Sequence, residues 1–467
     1  MDLFMTVWQT YKKPLAVALL YFAFSAVCLA EKLEDVVRET VSSNPTLLMQ
    51  SAVKYAQANA VRESTSGYLP KIDLYAGYGR DYNKNFFTRL ENPSPAGSGA
   101  LTLTKSEAMF SIKQMLFDGF AVRSAVEANT ARDKSSGYNV LARLNDVILE
   151  VTAAYIDTIL LRSVYMHAKD NVAYHQQIVD DLSNNKIPDT SSGDIDFARG
   201  RLFLAQTALL DFQRNIRDAQ ADYIRVVGKK PGVMYRPEAP EKNIPSNEET
   251  AVQVALNSNP LVFVGNAEIQ AARAEKRGAK APYFPVLDLE LSGFTNKNVD
   301  GYNQNANNLS AMLLLKYNLF NGGKDIANER KTAWMLEEKK ESLNETLRAI
   351  EQQTRHVYSA FINYKGQLTY LKQRVDAMQQ TRDAYHDEFT KGHREVYELL
   401  EAEDELFAAK VNYITAQYKE IFSRFLILQA TGKIREFFHI PTPSSVTFNK
   451  SAWMSGISPS GCGVTDK

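Results

Sequence analysis

The chain has 467 residues, with 54 basic and 54 acidic side chains and no formal net charge, so no basic surface points to nucleic acid. Its two cysteines, Cys28 and Cys462, exclude a disulfide framework and a thiolate metal cluster. A length of this kind ordinarily holds about two to four domains.

The amino terminus is a targeting segment. Lys12 and Lys13 precede the apolar run 14–27, and small residues follow, so residues 1–30 read as a signal peptide cleaved after Ala30. Cys28 raises a lipoprotein alternative, but bulky Val27 stands where a lipobox wants a small residue. An uncleaved anchor is the other alternative. Beyond Ala30 no apolar run reaches the roughly 18 residues of a membrane-spanning helix. The mature chain is therefore expected to be exported, and any membrane insertion must use strands.

Beyond the targeting segment the chain is one unit written twice. Residues 31–228 form a first repeat, 229–247 a linker rich in Pro, Lys and Glu, and 248–432 a second repeat. Helices are expected over 33–66 and 248–281, interrupted or kinked at Asn44-Pro45 and Asn259-Pro260. Each ends at a second break, Tyr68-Leu69-Pro70 or Tyr283-Phe284-Pro285. Both prolines of the second repeat lie 215 residues beyond their counterparts.

After Pro70 and Pro285 the period changes to two. Ile72, Leu74, Ala76 and Tyr78 alternate with Asp73, Tyr75, Gly77 and Gly79, while Leu287, Leu289 and Leu291 alternate with Asp288, Glu290 and Ser292. One apolar and one polar face over about ten residues is what a lipid-facing barrel strand requires. Strands are predicted over 71–82 and 286–295, polar loops over 83–99 and 296–308, and return strands over 101–115 and 309–318. The first return strand alternates less cleanly than the second. Twin signatures come next, Leu116-Phe117-Asp118-Gly119 and Leu319-Phe320-Asn321-Gly322, in which Gly119 and Gly322 supply left-handed backbone at a change of direction.

Long helices are expected after these turns, over 119–186 and 323–390. From Leu343 to Phe389 apolar residues recur at alternating gaps of four and three, broken only at Thr354 and Arg382. A strict 3.5-residue period makes helices supercoil around partners. The same seam runs 203 residues earlier through Val140, Leu144, Val147 and onward to Leu182. A continuous 119–186 helix would be about 100 Å long, which a globular domain does not need. Each long helix ends in a turn, one containing Pro188 and the other Gly392, and then come helices over 194–227 and 394–431 closed by Gly228 and Gly432. The tail 433–467 is rich in Pro and Gly, and its end is expected to be poorly ordered.

Two copies of helix, strand, loop, strand and long helical hairpin, behind a signal peptide, resemble the TolC family of outer membrane efflux proteins over roughly residues 33–432. The paired Asn-Pro elements, the paired Pro70 and Pro285 breaks and the Leu-Phe-Asp/Asn-Gly pair carry the likeness. So does Gly392 to Ala402, leading into Leu406-Phe407-Ala408-Ala409-Lys410. The resemblance implies a mainly α protein with a membrane β-barrel. Three copies would share one twelve-stranded barrel set in outer membrane lipid and one helical periplasmic tunnel. It also implies passive export, with a periplasmic adaptor and an inner-membrane transporter as partners and no cofactor. Four strands cannot close a barrel, so oligomerisation is required if they sit in lipid.

The resemblance assigns sites too. Within the acidic run Glu395, Glu398, Glu401, Glu403, Asp404 and Glu405, it places Glu398 and Glu401 around a closed aperture, where relatives carry aspartates. Without it the run is a solvated helix face. Arg394 and Asp194 match a gate link between neighbouring hairpins, and Phe389 replaces a tyrosine whose hydroxyl takes part in that lock. The first tip carries Pro188 where a glycine is usual, near where adaptors dock. His167, His175 and His386 read as seam or surface residues, with no pair at ligand spacing on one helix face. Tyr68, Tyr75, Tyr78, Tyr82, Tyr283, Phe294 and Tyr317 suit aromatic belts, or ordinary strand packing. No nucleophile–base pair, metal set or phosphate loop is present, so no enzyme is expected. The competing reading is a non-conducting periplasmic or surface coiled-coil scaffold, which has no need of lipid-facing strands.

Overall fold

A computed structural model describes residues 31–91, 99–184, 186–188, 190–301 and 303–443. The expected signal peptide, Cys28, part of the first loop, Cys462 and the end of the tail lie outside them. In chain order the elements are α1 (Leu33–Ser43), α2 (Pro45–Thr65), β1 (Lys71–Asn83), α3 (Phe86–Glu91), β2 (Leu101–Phe117), α4 (Ala121–Ser183), α5 (Ser192–Val227), α6 (Glu248–Ser258), α7 (Pro260–Gly278), β3 (Val286–Lys297), β4 (Asn305–Lys316), α8 (Lys324–Thr390), α9 (Val396–Ala430) and α10 (Ile434–Phe437). No described helix is long and apolar enough to cross a membrane.

Both Asn-Pro pairs break their helices outright, so each expected first helix is two. Proline disfavours helical backbone in the residue before it, and Asn44 and Asn259 are extended, with ψ of 122° and 126°. Each proline then opens a new helix, where its missing N–H costs nothing. Asn259 caps α7 by accepting from the Leu261 N–H at 3.0 Å.

The chain divides into two compact units. One comprises Thr46–Arg143, Val252–Gln353 and Pro441–Lys467. Its centre is an antiparallel sheet in the order β1-β2-β3-β4. Pro70 and Pro285 each sit immediately before a strand of this sheet. Directly paired residues share a face, so the register shows that the four alternations are in phase. Leu74 faces Phe110, Ile112 faces both Ile72 and Leu291, and Leu289 faces Leu313. On the other face Tyr75 donates to Glu107 at 3.0 Å, Lys113 pairs with Asp288 at 2.8 Å, and the Ser292 and Ser310 hydroxyls meet at 2.9 Å. A bulge between Met115 and Phe117 puts Phe117 opposite Leu287 in the apolar set. The poor alternation of β2 lies upstream of this bulge, where Leu103 and Met109 share the polar face and Thr104 and Ser106 the apolar one.

The apolar face is bare: Leu74 is 81% exposed. Among the described residues, strands β1 and β4 each pair on one side only. The second loop is shorter than its composition suggests. Strand β3 runs on to Lys297, and its ladder draws polar Asn305 to Asn308 into β4. The first loop contains α3, whose turn is fixed by reciprocal bonds between Asn85 and Thr88, both 2.9 Å. Gly119 has φ +69, and a Cβ there would lie 2.5 Å from the Ala281 carbonyl oxygen. Gly322 also has positive φ, just before α8.

The other unit comprises Met1–Pro45, Leu144–Ala251 and Thr354–Ile440. Here α4 buries its seam at Leu144, Val147, Val151, Thr158, Ala168, His175, Val179 and Leu182. Helix α8 buries Val357 and Phe361 against Ala251, Tyr358 and Ile427. Its remaining seam residues Tyr364, Leu368, Leu371, Val375, Met378 and Tyr385 are only half-buried. The linker is pinned. Arg162 donates to the Gly232 carbonyl at 2.6 Å, and the Tyr155 hydroxyl lies 2.8 and 2.7 Å from the Glu31 and Tyr235 carbonyl oxygens.

Candidate functional site at the hairpin tips

The two helical hairpins end on one apolar core. Ile178, Val179 and Leu182 of α4 pack with Ala198 and Leu202 of α5, and with Phe389 of α8 and Val396, Leu399 and Leu400 of α9. Phe389 is 3% exposed there. The residue expected to leave a gate without its hydroxyl is therefore a core residue of the tip.

Each turn has its own device. Ser191 caps α5 with a reciprocal box: the Asp194 N–H donates to Ser191 Oγ at 3.2 Å, and the Ser191 N–H and hydroxyl donate to Asp194 Oδ2 at 2.9 and 2.8 Å. The second turn uses Gly392, at φ +73, whose N–H donates to the Phe389 carbonyl at 3.0 Å. Pro188 stands against this glycine; a Cβ on Gly392 would lie 3.5 Å from the Pro188 Cβ.

The expected Arg394–Asp194 link does not form within the chain. Asp194 is used by the cap. Arg394 donates through Nε to Glu388 at 2.6 Å, pairs through Nη1 with Glu398 at 3.2 Å, and lies 3.7 Å from the Tyr385 ring centroid. The local i,i+4 pair satisfies the guanidinium without reaching another hairpin.

The acidic run divides by helix face. Glu398, Glu401 and Glu405 share a stripe of α9. Glu398 is half-buried and paired with Arg394, and Glu405 binds Arg374 at 2.6 Å. Glu401 is exposed and has no ion-pair partner among the described residues. Glu403 turns inward and Asp404 is half-buried, which the solvated-face reading of a charge run does not anticipate. Glu403, only 6% exposed, accepts from Arg382 at 3.1 Å and from Asn171 at 3.5 Å. Burial raises the Glu403 pKa, against the pull of Arg382.

Asp404 lies 3.2 Å from His175 Nε2 and accepts from Arg201 at 3.0 Å. The Tyr174 hydroxyl and His386 Nδ1 share a 3.0 Å bond, and burial pushes the Tyr174 pKa up to about 12. The Arg382 guanidinium lies 4.7 Å from the Tyr174 ring centroid. One network thus ties α4, α5, α8 and α9. A signal for it was available: Arg382 and His175 are polar residues at seam positions. Among the described residues no group of three His, Cys, Asp or Glu side chains is placed to hold a metal.

The model of the outer membrane efflux protein family matches residues 36–229 and 251–432, that is, both repeats without the linker. The outer membrane efflux protein BepC of Brucella suis is 21% identical over 434 residues, covering 92% of each chain. The outer membrane protein TolC of Escherichia coli is 22% identical over 451 residues, covering 91% of this chain and 86% of its own. Among solved structures, the CmeC outer membrane channel of Campylobacter jejuni superposes with a TM-score of 0.74 at 15% identity, over 86% of each chain. With both repeats matched in order and a TolC-like fold beneath them, this chain belongs to the outer membrane efflux protein family and is a TolC-type exit duct of the outer membrane.

Proposed function

We propose that three copies of this chain, exported behind the amino-terminal targeting segment, close one twelve-stranded barrel in outer membrane lipid. Their hairpins form one periplasmic tunnel that a periplasmic adaptor connects to an inner-membrane transporter. The observation that carries this is the four-stranded sheet with a bare apolar face and two unfilled edges. Lipid satisfies the face, and only neighbouring copies satisfy the edges. The half-exposed α8 seam supports the same reading, because a heptad stripe is a helix-partner surface. A non-conducting scaffold has no use for such a sheet.

The tips form the closed periplasmic aperture. Three copies of the Glu398, Glu401 stripe converge there and attract cations. Glu401 faces the opening as a free carboxylate, while Arg394 partly neutralises Glu398. Closure rests on Arg394 held by Glu388, Glu398 and Tyr385 within each tip. The test is a planar-bilayer recording of Glu398→Gln/Glu401→Gln. Cation selectivity and multivalent-cation block should fall together while sedimentation, with bound detergent subtracted, still gives a trimer. A wild-type monomer by sedimentation would sink the duct assembly. Unchanged block in the variant would return the stripe to an ordinary solvated face.

A further inference from the structure

A groove of about 540 Å³ lies where the strands give way to helices, and its lining is strongly cationic. Arg123 stands in the first turn of α4, and Arg273, Lys276, Arg277 and Lys280 line the end of α7 and the residues just past it. Glu127 is the single lining carboxylate. It is bonded by both Arg277 and Arg123, whose hydrogen bonds hold its pKa below the usual carboxylate range. Lys280 lies 3.5 Å from Glu329. Arg273 and Lys276 have no ion-pair partner among the described residues. The α7 macrodipole accounts for cations in its last turn. It does not account for Arg123 on the facing helix, or for an excess of cations that Glu127 cannot balance.

The other wall is aromatic. Phe120 and Phe284 line the groove and are 50% and 43% exposed. Both stand edge-on to Phe117, at 5.3 and 6.4 Å between centroids. Phe117 is the bulge residue that pairs with Leu287 in the apolar set of the sheet. The apolar face therefore runs through a half-exposed aromatic cluster straight into the cations. Acyl chain, interfacial ring and phosphate is the same order in a lipid leaflet.

We propose that this groove binds the phosphodiester headgroup of an anionic phospholipid in the periplasm-facing leaflet. Arg273 and Lys276 are its main cations, and Phe120 and Phe284 hold the first acyl carbons. The proposal rests on the sheet being part of a membrane barrel. The test measures phosphatidylglycerol and phosphatidylcholine binding to the detergent-purified full-length protein by native mass spectrometry, with trimer content read in the same spectra. Wild type should prefer phosphatidylglycerol. Arg273→Gln/Lys276→Gln should bind it roughly tenfold or more weakly, and Arg273→Lys/Lys276→Arg should restore it.

Unchanged phosphatidylglycerol binding in an intact trimeric Gln variant would overturn the site and leave the duct reading standing. Inorganic phosphate competing at equal concentration would assign the groove to a free anion instead of a lipid. Loss of the trimer only in the Gln variant would make these cations a subunit contact. A wild-type chain that never forms a trimer would sink the barrel itself.

Discussion

Helices α4 and α8 carry the same heptad seam 203 residues apart, yet the chain treats them differently. The α4 seam is buried at most positions from Leu144 to Leu182, with 1% exposure at both ends, and half-buried at Leu161, Tyr165 and Val172. The α8 seam is buried near Phe361 and half-buried for most of its length beyond. Equal periodicity therefore does not mean equal burial: α4 packs most of its stripe within the chain, and α8 leaves part of its stripe half-exposed. The sheet repeats the lesson, since Leu74 and Leu313 are as apolar as any core residue and lie open. Duplication supplied two equivalent elements, and divergence left one more buried than the other.

The sharpest way to break that contrast is at Arg382, a seam position of α8 that points inward. Arg382→Leu leaves Glu403 buried without its cation and should cost about 3–5 kcal/mol. Arg382→Leu/Glu403→Leu should recover most of it. The pH dependence has a definite sign. A carboxyl whose folded pKa is raised binds protons more tightly in the folded state, so its stabilising effect is complete below the ordinary glutamate value and is lost as pH rises through the folded one. Arg382 opposes the raise, so removing it widens that window upward. Thermal melting of the single variant should therefore improve on mild acidification more than wild type does. A flat response would mean that Glu403 escapes to solvent.

Next in size is a matched pair of truncations. Leu144→Ala removes a buried side chain and should lower stability by about 2–5 kcal/mol, visible in hydrogen exchange of α4. Leu371→Ala should leave α8 protection within the chain nearly unchanged and weaken the trimer instead. Equal effects on both readouts would erase the distinction between the two seams. In the sheet, Leu289→Arg should impair assembly by about 2–4 kcal/mol, while Glu290→Arg on the wet face is tolerated. Assembly yield in outer membrane fractions measures this, and equal tolerance would mean the faces are reversed. The smallest effect concerns the tips. Ser191→Ala removes the α5 cap at a cost of about 1 kcal/mol, read as faster proteolysis at the first turn. The second tip has no side-chain cap at Glu395 and should be unaffected.

Most of the architecture was legible because it rests on periodicity and proline. The strands, the helical hairpins and the two Asn-Pro breaks come from spacing alone. Polar segments recruited by their neighbours did not show. Asn305 to Asn308 reads as loop and becomes strand only because β3 offers it a ladder. Helix α3 is too short for any period and depends on the Asn85–Thr88 bonds. At the tips, the composition of the acidic run says nothing about which carboxylates turn inward. The seam-breaking Arg382 and His175 carry that information, because a charge at a buried period needs a partner. Within the single chain Asp194 and Arg394 instead take partners near in sequence, Ser191 and Glu388.

The unfilled edges of β1 and β4 also have a genetic consequence. In the proposed trimer a strand edge is completed by a neighbour, so one chain with a spoiled edge damages an assembly that it shares with two sound ones. With equal synthesis of both chains and random threefold mixing, only about one duct in eight is wholly sound. Edge-strand alleles should therefore be dominant over the wild type, whereas alleles that merely unfold α4 remove their own product before assembly and should be recessive.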